Sequence, residues 1–274
     1  MRNWMIFSVL LLAACSAAPE PLAPAASPRP AAAAPALTPA PTPVGDPVEG
    51  LRVATRVGCN GCHGADGGGR ELWGEKGKFQ LFSPNLTVKR ELYDDAGIEG
   101  LLRQGRTHDG HVPFGMPILM YQHLSDREVR DITAWLRSIP AVANPDLKLS
   151  WFSDDLRKQL DDGTHPYSAD MRPDPGNHPP AEPPTETLAL GKHLAMTSCP
   201  ECHGRDLNGY PGDTPSLIVA KAHSVENFHR LMRTGITAGG TESATGLMTE
   251  MGRKRFPAMT DDEVKALKAY LDSR

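Results

Sequence analysis

The chain has 274 residues, 39% hydrophobic and 23% charged, with 26 Pro, 26 Gly and five Cys. That length accommodates two small domains, and the Pro is too unevenly spread for one continuous packed core. Lys and Arg number 29 against 33 Asp and Glu, a net charge of −4, so no general basic surface exists for nucleic acid and a polymerase, repressor or histone-like protein is disfavoured.

Arg2 precedes an apolar run from Trp4 to Ala14, long enough for the hydrophobic region of a secretory signal but short for a membrane-crossing helix. The run ends in Leu12-Ala13-Ala14-Cys15, which resembles the bacterial lipoprotein signal. The resemblance implies that residues 1–14 are a signal peptide cleaved before Cys15, with lipid on the Cys15 sulfur and its new amine; several acyl chains anchor more firmly than one. The alternative is an ordinary signal peptide with a chance Cys beside its cleavage site, and either reading leaves Cys15 outside the fold. Residues 15–47 read as a tether, since the 32 residues from Ser16 to Pro47 hold ten Pro and eleven Ala, a composition that is extended and poor in packing anchors.

Residues 48–140 form a first unit. A helical stretch, Glu49 to Val57, leads into Cys59-Asn60-Gly61-Cys62-His63-Gly64. The unit closes on Ser125-Asp126-Arg127-Glu128, a hydroxyl N-cap three residues before Glu, followed by Val129, Ile132, Trp135 and Leu136 at helical spacing. Residues 141–185 form a crossover with eight Pro, eight acidic and four basic residues, predicted to be ordered in its first part, near Trp151 and Phe152, and looser from Arg172 to Pro184. The crossover carries the whole −4, because the units on either side each balance at zero; any acidic steering patch is expected there.

Residues 186–274 repeat the first unit. Glu186 to Met196 leads into Cys199-Pro200-Glu201-Cys202-His203-Gly204, Leu231-Met232-Arg233-Thr234-Gly235 answers Leu101-Leu102-Arg103-Gln104-Gly105, and Thr260-Asp261-Asp262-Glu263 opens a closing helix with Val264, Leu267, Tyr270 and Leu271 on one face. Trp135 and Tyr270 read as packing residues.

Two thiols at this spacing can bond to haem vinyl positions while the adjacent His coordinates iron. Finding the motif twice, behind an export signal, points to two covalently bound haem c groups on Cys59, Cys62, His63 and on Cys199, Cys202, His203. Zinc would need further ligands, and a thioredoxin-like CxxC would need a βαβ context that is absent. Both units resemble small class I cytochrome c domains, over about two thirds of the chain. The expected fold class is therefore all-α, two tandem class I cytochrome c domains behind a Pro-rich N-terminal tether.

In that family the sixth iron ligand is generally a Met on the loop before the last helix. The resemblance implies Met116, in Val112-Pro113-Phe114-Gly115-Met116-Pro117 and nine residues before Ser125, and Met251, nine residues before Thr260. Met120 is the loop-filling alternative in the first unit. In the second, Met248 and Met259 compete, Gly252 replaces the Pro, and Arg253-Lys254-Arg255 lies in the loop; Met259 matches apolar Leu124. His108, His111 and His193 read as surface or supporting residues, while His223 or His229 offers a bis-His alternative. Arg70 and Arg205 are candidates for propionate contacts. The iron ligands expected are thus His63 with Met116 and His203 with Met251.

The resemblance implies outer-sphere electron transfer rather than catalysis by the chain itself: a periplasmic, lipid-anchored relay between a donor and a respiratory or photosynthetic partner, free or held in a larger complex. A dihaem peroxidase or other haem enzyme is the alternative, requiring an open iron position and an acid/base residue. A thiosulfate-oxidising enzyme would need a spare Cys that the folded units lack.

Overall fold

The computed structural model describes residues 44–274. The signal segment, Cys15 and nearly all of the Pro/Ala tether lie outside the described residues. Asp46 opens the first helix, α1 (Pro47–Arg56), its carboxylate accepting from the N–H groups of Val48 and Glu49, with Pro47 in the first turn where its missing N–H costs nothing. The first Cys-Cys-His motif forms the short α2 (Cys59–His63). A hairpin of β1 (Arg70–Glu75) and β2 (Phe79–Ser83) follows, then α3 (Leu86–Lys89), α4 (Asp95–Gln104), α5 (Ile118–Tyr121) and α6 (Asp126–Ser138). The crossover supplies β3 (Trp151–Phe152) and α7 (Asp154–Asp162). The second unit contains α8 (Thr187–Ser198), α9 (Pro200–His203), α10 (Val225–Thr234), α11 (Leu247–Lys254) and α12 (Asp261–Ser273).

Each unit is organised by the crossing of its first and last helices, α1 on α6 and α8 on α12. The crossing is close because a Gly sits at the contact. A Cβ on Gly50 would lie 1.9 Å from the Asp131 carbonyl oxygen and 2.9 Å from Trp135 Cβ; one on Gly191 would lie 2.1 Å from the Ala266 oxygen and 2.6 Å from Tyr270 Cβ. Trp135 is buried in the first core with Val53, Ile98 and Ile132, and Tyr270 packs against the second with Leu194, Phe228 and Leu267. Both capping boxes form, Ser125 with Glu128 and Thr260 with Glu263. In both units an Arg ties the middle helix to the start of the last: Arg103 Nη2 to Asp126 at 2.6 Å and Arg233 Nη2 to Asp261 at 2.7 Å.

The chain is predominantly helical, as its sequence predicts, with one small antiparallel sheet added. Its order is β1-β2-β3, with Arg70 opposite Ser83, Phe79 opposite Phe152, and a bulge between Glu71 and Gly74. Phe79, Phe114 and Phe152 pack edge-to-face or stacked over a third cluster of Leu156, Leu160 and Met171. The stretch from Arg172 to Pro184, expected to be loose, is instead docked on the first unit. Asp174 N–H donates to Gln122 Oε1 at 2.6 Å, and Asn177 Nδ2 donates to the Gln122 carbonyl at 2.7 Å. The Pro180 and Ala181 carbonyls accept from the Asp126 and Arg127 N–H groups, each at 3.0 Å. These are orphan donors at the start of α6, and the carbonyls of the Pro-rich segment satisfy them.

The two units meet in a quasi-twofold interface. Glu128, the third residue of α6, pairs with His193 of α8 at 2.8 Å; Glu263, the third residue of α12, pairs with Arg52 of α1 at 2.7 Å. With Gly50 and Gly191 in register, Arg52 and His193 occupy matching positions, so the contact is nearly self-complementary, as between the subunits of a symmetric dimer. Arg56, 1% exposed, reaches from α1 to the Thr197 and Ser198 hydroxyls at 2.6 and 2.9 Å while pairing with Glu128 at 2.6 Å. Burial opposes the charge on Glu128, but the His193 hydrogen bond and Arg56 outweigh it and hold the carboxyl down to about 2.

Candidate haem-binding sites

The two Cys-Cys-His motifs have the same local architecture. His63 Nδ1 lies 3.0 Å from the Pro84 carbonyl and His203 Nδ1 lies 2.8 Å from the Pro215 carbonyl. A carbonyl can only accept, so each Nδ1 carries the proton and each Nε2 keeps its lone pair. Burial lowers the pKa of both imidazoles, opposed by the Pro carbonyl bond, which favours the neutral, metal-binding form. The carbonyl also fixes the ring orientation, as an outer-shell partner of a metal-bound His does. The preceding hydroxyl residue ties the same loop to the motif: Ser83 Oγ donates to the Cys62 carbonyl at 2.6 Å, and Thr214 Oγ1 donates to the Cys202 carbonyl.

The turn after each His repeats as well. Asp66 Oδ1 accepts from Gly68 N–H at 2.9 Å and Asp206 Oδ1 from Asn208 N–H at 3.0 Å. The left-handed position is Gly67 (φ 73°) in the first unit and Leu207 (φ 61°) in the second. Leu207 is 1% exposed within the second core, and that burial offsets an uncommon backbone conformation for Leu.

The four motif cysteines are free thiols, partly buried. Burial is the main effect on each, pushing Cys59 and Cys199 up to about 12, Cys202 to about 11, and Cys62 upward. Burial thus favours the neutral thiol form at all four positions. Among the described residues no cluster of three or more His, Cys, Asp or Glu side chains could hold a metal ion. Paired neutral thiols beside an oriented His with a free Nε2 fit covalent haem attachment.

Met116 follows a turn in which its N–H donates to the Pro113 carbonyl at 2.9 Å, and it packs, partly buried, on the core that also receives Cys59. Met248 and Met251 lie three residues apart on α11, so they share a face; both are partly buried against the core that receives Cys199. Met120 and Met259 are fully buried, as is Leu124, the position matched to Met259. His229, offered for the bis-His alternative, pairs through Nε2 with Asp261 at 2.9 Å. His193 serves the interface, His108 meets the Tyr93 hydroxyl at 3.3 Å, and His111 is exposed. Arg70 stays beside the first motif, donating to the Gly61 carbonyl at 3.3 Å. The crossover engages the Arg205 guanidinium through Asp174 and the Ala169 and Arg172 carbonyls.

Residues 48–140 and 188–274 each match the sequence model of the cytochrome c family. The two matches cover well over half of the chain, and the protein belongs to the cytochrome c family. No curated protein sequence matches it. Domains of this family bind haem covalently and transfer electrons.

Proposed function

We propose that the chain is a dihaem electron relay of the bacterial cell envelope, tethered to a membrane through lipid on Cys15. The observation that carries this reading is the doubled site: the same Nδ1-to-Pro carbonyl bond, hydroxyl-to-Cys carbonyl bond and Asp-anchored turn recur around His63 and His203. Cys59, Cys62, His63 and Met116 would hold one haem, and Cys199, Cys202, His203 and Met251 the other. Bound haem supplies a one-electron couple at iron. Thioether sulfur from Met116 and Met251 would favour the reduced state and raise the potential of each group, the chemistry of a relay and not of a peroxide-binding enzyme.

Partners are then redox proteins of the periplasm or membrane, of a respiratory or photosynthetic system. Among the described residues no helix is long and apolar enough to cross a membrane; the anchor would come from acyl chains on Cys15. Intact mass of the exported protein is expected to show two haems per chain, and one or none would contradict the reading. Cys15→Ser is expected to move the protein from the membrane fraction to the soluble fraction, and unchanged retention would contradict lipid anchoring.

A further inference from the structure

The basic run Arg253-Lys254-Arg255 has no role in ligation, yet its last member occupies a singular place. Arg255 caps the end of α11 and is 9% exposed. Its guanidinium lies against the first unit's attachment peptide. A Cβ on Gly58, the residue before Cys59, would fall 2.3 Å from Arg255 Cζ, and one on Gly61, between Cys59 and Cys62, would fall 4.0 Å from Nη2. Gly58 holds φ 93°, so its missing side chain suits both its backbone and the guanidinium packed on it. On the other side Nη1 pairs with Glu201 at 2.6 Å, within Cys199-Pro200-Glu201-Cys202-His203.

Gly61 and Glu201 stand at the same position of the two motifs, two residues after the first Cys. One cation therefore pairs with the second attachment peptide at Glu201 and lies beside the matching point of the first, where α5 of the first unit packs on α9 of the second. The reciprocal contact comes from Arg56, three residues before Cys59, which binds the Thr197 and Ser198 hydroxyls just before Cys199. Each attachment peptide is thus held by an Arg from the other unit.

We propose that Arg255 is a positioning residue acting across the interface, and that the Arg255–Glu201 pair sets the reduction potentials of the two centres against each other. This inference rests on the reading that both motifs carry haem. A reduced centre carries one positive charge fewer than the oxidised one, so a fixed cation favours reduction and a fixed anion opposes it. Both charges are partly withdrawn from water, where their effect is screened less than at the surface.

The test is spectroelectrochemical titration of the full-length dihaem protein and of Arg255→Gln, Arg255→Lys and Glu201→Gln, with haem content measured on each. Arg255→Gln is expected to lower the potential of the first centre by at least a tenfold change in its oxidised-to-reduced ratio, about 59 mV for one electron. Arg255→Lys should keep most of the parental value, and Glu201→Gln should move potentials upward. Opposite signs from the two neutralisations are something a merely structural role would not produce. Two haems with shifts of the same sign, or with none, would overturn the proposal. Should Arg255→Gln fail to fold, Glu201→Gln decides alone, and an unchanged or lowered potential overturns it. Fewer than two haems in the unaltered protein would overturn the dihaem reading instead.

Discussion

Glu128 shows how one side chain serves several levels of structure. It closes the capping box of α6, pairs with Arg56 of its own unit and receives His193 from the other. Its carboxyl is held at about 2, below the ordinary 4.5. A depressed acid contributes stability that is present above its unfolded pKa and is lost as pH falls through the folded one. The contribution is therefore full above about pH 4.5 and disappears as pH falls towards about 2. In thermal unfolding followed across that range, Glu128→Gln is expected to show a shallower acid dependence than the parent. It should also be less stable at neutral pH by roughly 3 kcal/mol or more, because Arg56 is left buried without its anion. Equal slopes for the two proteins would contradict this role. At the same scale, Pro84 and Pro215 act through their carbonyls, so the orientation of His63 and His203 is a backbone property.

Among the elements, the first and last helices of each unit make the most extensive contacts, and their separation is set by one Gly per crossing. Gly191→Ala places a methyl 2.1 Å from the Ala266 oxygen, a backbone atom that can yield only if α8 and α12 move apart. The expected cost is at the upper end of overpacking, about 3 kcal/mol, measured as a fall in thermal midpoint, with the second haem perturbed more than the first. An unchanged midpoint would contradict the close crossing. What could be read from the sequence at this scale was local. Ser125 with Glu128, Thr260 with Glu263 and the apolar faces after them lie within a few turns of chain, and the helices form there. The Pro carbonyl partners were harder to see. Ser83-Pro84-Asn85-Leu86 and Thr214-Pro215-Ser216-Leu217 are equivalent, but Pro84 follows its His by 21 residues and Pro215 by 12. The β1–β2 hairpin makes the difference, lengthening only the first unit and hiding the match from a fixed-spacing comparison.

At the scale of the described molecule, the two units are joined by the Arg52–Glu263 and Glu128–His193 pairs, by Arg56 on the Thr197 and Ser198 hydroxyls, and by Arg255 packed against Gly58. Such long-range pairs leave no local signature: Arg52 and Glu263 are 211 positions apart. The Pro-rich crossover misled for a related reason. Its composition describes an isolated chain, whereas its carbonyls satisfy donors that only the folded α6 presents. The two cytochrome c units were legible because their motifs and capping boxes are each written in a few adjacent residues; the sequence separates Met116 from its neighbours more cleanly than Met251, because Met248 shares the helix face of Met251. The near-infrared absorption of the fully oxidised protein, which reports Met sulfur on ferric haem, tests the account most directly. Two Met-ligated low-spin haems per chain are expected, with Met251→Ala removing one and leaving the other. A band corresponding to one Met-ligated haem or none in the unaltered protein, or a high-spin fraction that reacts with peroxide, would contradict the relay.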